Sequence, residues 1–123
     1  MKETVAVLGA SSKPDRYSHK AMLLLQEHGH TPIPVHPKEK SILDRKVFTD
    51  LSELDVHVDT VTVYVRPELL QKQLDDLINL HPGRVIMNPG TEDQKVADEL
   101  ENRDIQVVQA CTLVMLNTGQ FEN

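Results

Sequence analysis

Apolar residues recur along this 123-residue chain with two spacings. Compact runs rich in β-branched residues occupy positions 4–9, 60–65, 84–88 and 105–108. Their continuity predicts buried strands of a parallel sheet. Between them lie longer stretches with apolar residues three and four apart, the period of an amphipathic helix. One runs over 18–28, with Ala21, Leu24, Leu25 and His28 on a single face. A second runs from Pro67 to Leu80, with Leu70, Leu74, Leu77 and Ile78. A third spans 92–102, with Val96 and Leu100 inward.

The boundaries carry matching signals. Gly29 fits the stop of the first helix, and Pro67 fits the first position of the second. Pro82-Gly83 closes the second, and Thr91 is placed to cap the third. Residues 31–38 read Thr-Pro-Ile-Pro-Val-His-Pro-Lys. Prolines at alternate positions cannot donate to a ladder, so this strand is short or turns its proline nitrogens away from its neighbour. Residues 39–50 are polar and predict a surface excursion with a brief extended piece at 46–48. Residues 52–54 suggest one helical turn. In 60–65, threonine alternates with valine, which predicts one less buried face. The tail from Ala110 is apolar at 113–116 and fits either a strand or a short helix. Strands separated by helices imply right-handed crossovers. The expectation is one α/β, Rossmann-like three-layer domain over residues 1–123, with a five-stranded, mainly parallel sheet.

Composition narrows the function classes. Hydrophobic residues make up 39% and charged residues 26%, so a packed core is expected. Aromatic residues are only 3%, so that core must be built from aliphatic side chains. A net charge of -6 disfavours a nucleic-acid partner but not a small anion held by local dipoles. The single cysteine, Cys111, excludes an internal disulfide. No signal peptide and no apolar run of membrane-spanning length is visible, so a cytoplasmic protein with no membrane partner is expected.

Ligands of such sheets bind at the carboxyl ends of the strands. Four ends stand out. The first, Gly9-Ala10-Ser11-Ser12, presents small residues before a helix, as a phosphate-binding turn does. It is not the dinucleotide fingerprint, because positions 11 and 14 are Ser11 and Pro14. A tight strand-to-helix turn alone reads the same way. The second end is His36-Pro37-Lys38. It lacks the carboxylate that would accept ribose hydroxyls and offers a cation, which suits a phosphorylated ribose as in CoA or NADP. Lys38 also fits a solvated patch with Lys40. The third, Arg66-Pro67, can grip a phosphate or merely open a helix. The fourth, Asn88-Pro89-Gly90-Thr91, can form a second cradle or simply a turn with a cap. No catalytic or metal constellation emerges. His28-Gly29-His30 spans a helix stop rather than forming a metal pair, and Cys111 lacks a C-x-x-C partner.

Gly9-Ala10-Ser11, Ser18 opening a helix, His28-Gly29, and Val35-His36-Pro37-Lys38 together resemble the stand-alone CoA-binding proteins. Those are similar to the N-terminal domain of the succinyl-CoA synthetase alpha subunit. The resemblance continues through Asp44 to Phe48, Asp59 to Pro67, and Gly90. It implies CoA contacts at Gly9, Ala10, Ser11, Ser18, His36, Pro37, Lys38, Arg66, Pro67 and Gly90. Ser12 and Asn88 join them from the reading of the strand ends. The chain departs from the family pattern in having His36 for a common Asn, Asn88-Pro89 before Gly90, and Gln109-Ala110 before Cys111. The synthetase's phosphorylated histidine belongs to a second domain, so the resemblance implies binding of CoA or acyl-CoA, not ligase activity. Two other readings stay open. One is an enzyme, either an NADP-dependent oxidoreductase or a CoA-utilising subunit. The other is an interaction protein with a vestigial pocket, homodimerising through residues 113–116 or joining a partner enzyme.

Overall fold

A computed structural model describes residues 2–122. Five strands form one parallel sheet: β1 (Thr4–Leu8), β2 (Thr31–Val35), β5 (Thr60–Val63), β6 (Arg84–Met87) and β7 (Gln106–Gln109). Their order is β2-β1-β5-β6-β7. The chain steps outward from β1 to β2, returns to the other side of β1, and then proceeds to β7. The switch point therefore lies at β1, between its two neighbours. This is the expected Rossmann-like α/β arrangement.

Two layers of helices cover the sheet. Val5 and Val7 of β1 and Ile86 of β6 pack with Met22 and Leu25 of α1 (Tyr17–Glu27) and with Met115 and Leu116 of α5 (Thr112–Asn117). On the opposite face, Ala6, Leu8, Val61, Val63, Val85 and Met87 meet three helices. These are α2 (Pro67–Lys72), α3 (Leu74–Leu80) and α4 (Gln94–Glu101), which contribute Leu70, Leu77, Val96 and Leu100. The tail thus forms a helix packed on its own domain.

The alternating prolines of β2 are resolved by its place at the edge. The Thr31 N–H donates to the Glu3 carbonyl at 2.9 Å, and the Val35 carbonyl accepts from Gly9 at 3.0 Å. Odd-numbered residues therefore face β1. Pro32 and Pro34 face outward, where no inner ladder needs their missing donors. The Pro34 carbonyl accepts there from Phe48 at 3.0 Å.

Several expectations are corrected. The threonine face of β5 is fully buried, because Thr60 and Thr62 find hydrogen-bond partners inside. Residues 39–50 do not simply wander. They contain a hairpin of β3 (Ser41–Ile42) and β4 (Arg45–Lys46), whose turn residues Leu43 and Asp44 both have positive φ. The long second helix is two helices, interrupted at Gln73, where φ is -94° and ψ is 0°. Left-handed His81, not Pro82-Gly83 alone, ends the second piece. Asp93 rather than Thr91 caps α4, its carboxylate accepting the Val96 N–H at 3.0 Å. The buried face of α1 uses Ser18, Ala21, Met22 and Leu25, leaving Leu24 half-buried and His28 exposed.

Candidate ligand-binding site

A cleft of about 660 Å³ opens at the carboxyl ends of β1, β2, β5 and β6. Its floor is the turn after β1. Gly9 adopts φ +90°, and a Cβ there would lie 2.9 Å from the Tyr64 carbonyl oxygen and from Val65 Cγ1. Only glycine lets the first strand turn this close to the end of β5. The Gly9 and Ala10 amides are both used by the Val35 carbonyl, at 3.0 and 3.2 Å. The turn's first two donors therefore hold β2 in place. Donors for an anion must come from further along, at Ser11, Ser12 and the opening turn of α1.

That opening turn suits the task. Arg16 at its N-cap gives no side-chain hydrogen bond, so the first amides of an eleven-residue helix have no internal cap. The turn is tied to the loop by His19, whose Nδ1–H donates to the Ser11 carbonyl at 2.8 Å. Cations ring the cleft: Lys13, Arg16, Lys38 and Arg66 all line it. Arg66 lies 3.9 Å from Glu68, both largely in solvent, a pairing of small energetic weight.

An internal anion already sits among these groups. The Glu39 carboxylate accepts the Ser12 N–H at 2.7 Å. Hydrogen bonds from the Ser12 side chain and backbone hold the Glu39 carboxyl below the usual carboxylate range. Glu39 is positioned by His36, whose Nδ1 accepts the amides of Lys38 and Glu39 at 3.0 and 3.3 Å. The imidazole thus shapes the turn that presents Lys38.

Of the sequence-derived site residues, Gly9, Ala10, Ser11, Ser12, Ser18, His36, Lys38, Arg66 and Gly90 meet at this cleft. Pro37, Pro67 and Asn88 do not line it. Pro37 is exposed at the turn's outside, and Pro67 is the first residue of α2. The buried Asn88 side chain is spent on structure. It donates to Thr62 Oγ1 and to the Val63 carbonyl, both at 2.8 Å, and accepts the Thr112 N–H at 2.9 Å. Thr91, from the fourth strand end, lines the cleft as well, and Glu39, Tyr64 and Val65 line it without having been singled out from sequence. Tyr64 follows a strand end, a position that could have flagged it. Nothing local marks Glu39.

A second, smaller chamber of about 250 Å³ adjoins the cleft, bounded by Tyr17, Tyr64, Asn88, Pro89, Cys111 and Leu113. Cys111 is a half-buried free thiol on its wall, not the fully buried one that default packing predicts. Burial pushes the Tyr64 phenol up to about 12, and its hydroxyl finds no hydrogen-bond partner among the described residues.

Comparison with known proteins settles the family. The model of the CoA binding domain matches residues 3–117. The chain belongs to the CoA-binding-domain family. A Bacillus subtilis (strain 168) relative, the uncharacterized protein YneT, is 39% identical over 66 residues. That match spans 54% of this chain and 49% of YneT, about half of each. A crystal structure of an uncharacterized protein superposes with a TM-score of 0.94 at 36% identity, over 98% of this chain and 99% of that one. The fold also recurs within the dinucleotide-forming acetyl-coenzyme A synthetase 1 of Ca. Korarchaeum cryptofilum. There the TM-score is 0.75 at 17% identity, over 88% of this CoA-binding-domain chain and 25% of the synthetase.

Proposed function

We propose that this protein binds CoA or acyl-CoA in the cleft above β1 and works as a carrier, sensor or partner subunit rather than through catalytic residues of its own. One observation carries this reading. In a chain of the CoA-binding-domain family, the β1 turn, the uncapped start of α1 and Lys38 converge on one cleft. The diphosphate would meet the Ser11 and Ser12 backbone and the first turn of α1, where amide dipoles favour negative charge. Lys38 would face the ribose phosphate as a point charge. Among the described residues, no three His, Cys, Asp or Glu side chains gather as a metal site.

The role of Lys38 is tested by pairing a mutation with a ligand deletion. Lys38→Ala is expected to weaken CoA binding by about 1–2 kcal/mol, the scale of a hydrogen bond to a charged group. Dephospho-CoA, which lacks the ribose phosphate, should bind the variant and the original protein nearly alike. Equal losses for both ligands would remove Lys38 from the ribose phosphate. No loss for either would remove it from the site.

A further inference from the structure

The cleft and the adjoining chamber differ in chemistry. Four cations and one carboxylate line the cleft, whereas no charged side chain lines the chamber. The chamber walls are two tyrosine rings, Pro89, Leu113, the Cys111 thiol and part of Asn88. With its phenol held neutral throughout the physiological range, Tyr64 adds no charge there. The two spaces are neighbours, with Tyr17, Tyr64 and Pro89 bordering both. A ligand that fills them together must be amphiphilic, with anionic groups at one end and an uncharged, apolar group at the other.

The chamber is also firmly built. Asn88 ties the start of α5 to the end of β5, through Thr112 on one side and Thr62 with Val63 on the other. Thr62 and Thr112 are joined directly by a hydroxyl hydrogen bond of 2.8 Å. This network fixes Cys111 and Leu113, which flank Thr112, against Tyr64.

We infer that this chamber receives the acyl group of a short acyl-CoA, making the protein a binder of short acyl thioesters in preference to free CoA. The inference rests on the proposed CoA site and adds where the thioester end lies. An uncharged chamber of this size matches a short aliphatic acyl chain. A dicarboxylic acyl group would bring a carboxylate to walls that offer it no cation.

The test compares CoA, acetyl-CoA and butyryl-CoA by calorimetric titration. Affinity should rise along that series by about fourfold per buried methylene. In Leu113→Trp, which fills the chamber, the ratio of butyryl-CoA to CoA affinity should fall close to one. Cys111→Phe fills it from the other wall and serves if the first variant does not fold, as judged by its melting curve. Independently, iodoacetamide should alkylate Cys111 of the unsubstituted protein more slowly with saturating butyryl-CoA than with saturating acetyl-CoA, since neither thioester carries a free thiol to consume the reagent. If CoA binds but all three ligands have equal affinity and the two thioesters protect Cys111 equally, the chamber assignment is wrong and the CoA site stands. If none of the three binds, the CoA site itself is wrong and the chamber assignment falls with it.

Discussion

At Gly9 a methyl group would collide with the Tyr64 carbonyl oxygen at 2.9 Å while also forcing a side chain into φ +90°. Backbone cannot yield as a flexible side chain can. Gly9→Ala is therefore expected to destabilise the fold by about 2 kcal/mol or more. Urea unfolding would measure it, and a change under about 0.5 kcal/mol, the range of an unremarkable surface substitution, would contradict the account. Glu39 poses a different residue-scale question. Its carboxylate takes the Ser12 amide that a ligand phosphate would need. Glu39→Gln should therefore tighten CoA binding severalfold by removing a competing charge. Weaker binding would show that Glu39 supports the turn more than it blocks it. Gly9 was legible in the sequence because an apolar strand ends there, although the Tyr64 carbonyl that forbids a side chain lies 55 positions away. Glu39 was not, because the 27 residues separating it from Ser12 are bridged only by the fold.

Among elements, α4 shows how far a sequence signal reaches. A cap was expected near residue 91, and the true cap is Asp93. The Thr91 hydroxyl instead donates to the Asn88 carbonyl at 2.8 Å, closing the preceding turn. The Val96 N–H, followed by the Gln71 side chain, holds the Asp93 carboxyl below the usual carboxylate range. A carboxyl depressed in the folded state stabilises it at neutral pH and loses that contribution as pH falls through the carboxylate range. Asp93→Asn keeps a capping oxygen but does not titrate. The stability gap between the two proteins should stay constant above about pH 5 and narrow toward about pH 3. A gap independent of pH would contradict the charge argument. The break at Gln73 was invisible, since no glycine or proline marks it. β2 was more legible, because its prolines left only a short strand or outward-turned nitrogens, and the structure has the second.

At the scale of the whole molecule, the end of the chain fastens its beginning, at the pole opposite the cleft. Phe121 is buried with its ring edge-on to His30 at 4.9 Å and beneath the Arg84 guanidinium at 4.5 Å. Arg84 also donates to the Phe121 carbonyl at 2.7 Å and pairs with Glu3 at 3.3 Å. Phe121→Ala should cost about 3 kcal/mol or more, the usual loss for a buried aromatic side chain. A denaturation midpoint close to that of the unsubstituted protein would show that the tail is dispensable. None of this clamp was readable beforehand. It joins residues 37 to 91 positions apart, which hydrophobic periodicity cannot register. The five strands and the convergence of their polar ends were readable, because each rests on a run of adjacent residues and the chirality of crossovers.

The proposed function requires CoA, with its ribose phosphate, to sit over the turn at Gly9. Calorimetric titration with CoA, dephospho-CoA and NADP in parallel tests it most directly. CoA is expected to bind best, and removal of its ribose phosphate is expected to weaken binding. Tighter binding of NADP than of CoA, or no heat from any of the three, would contradict it.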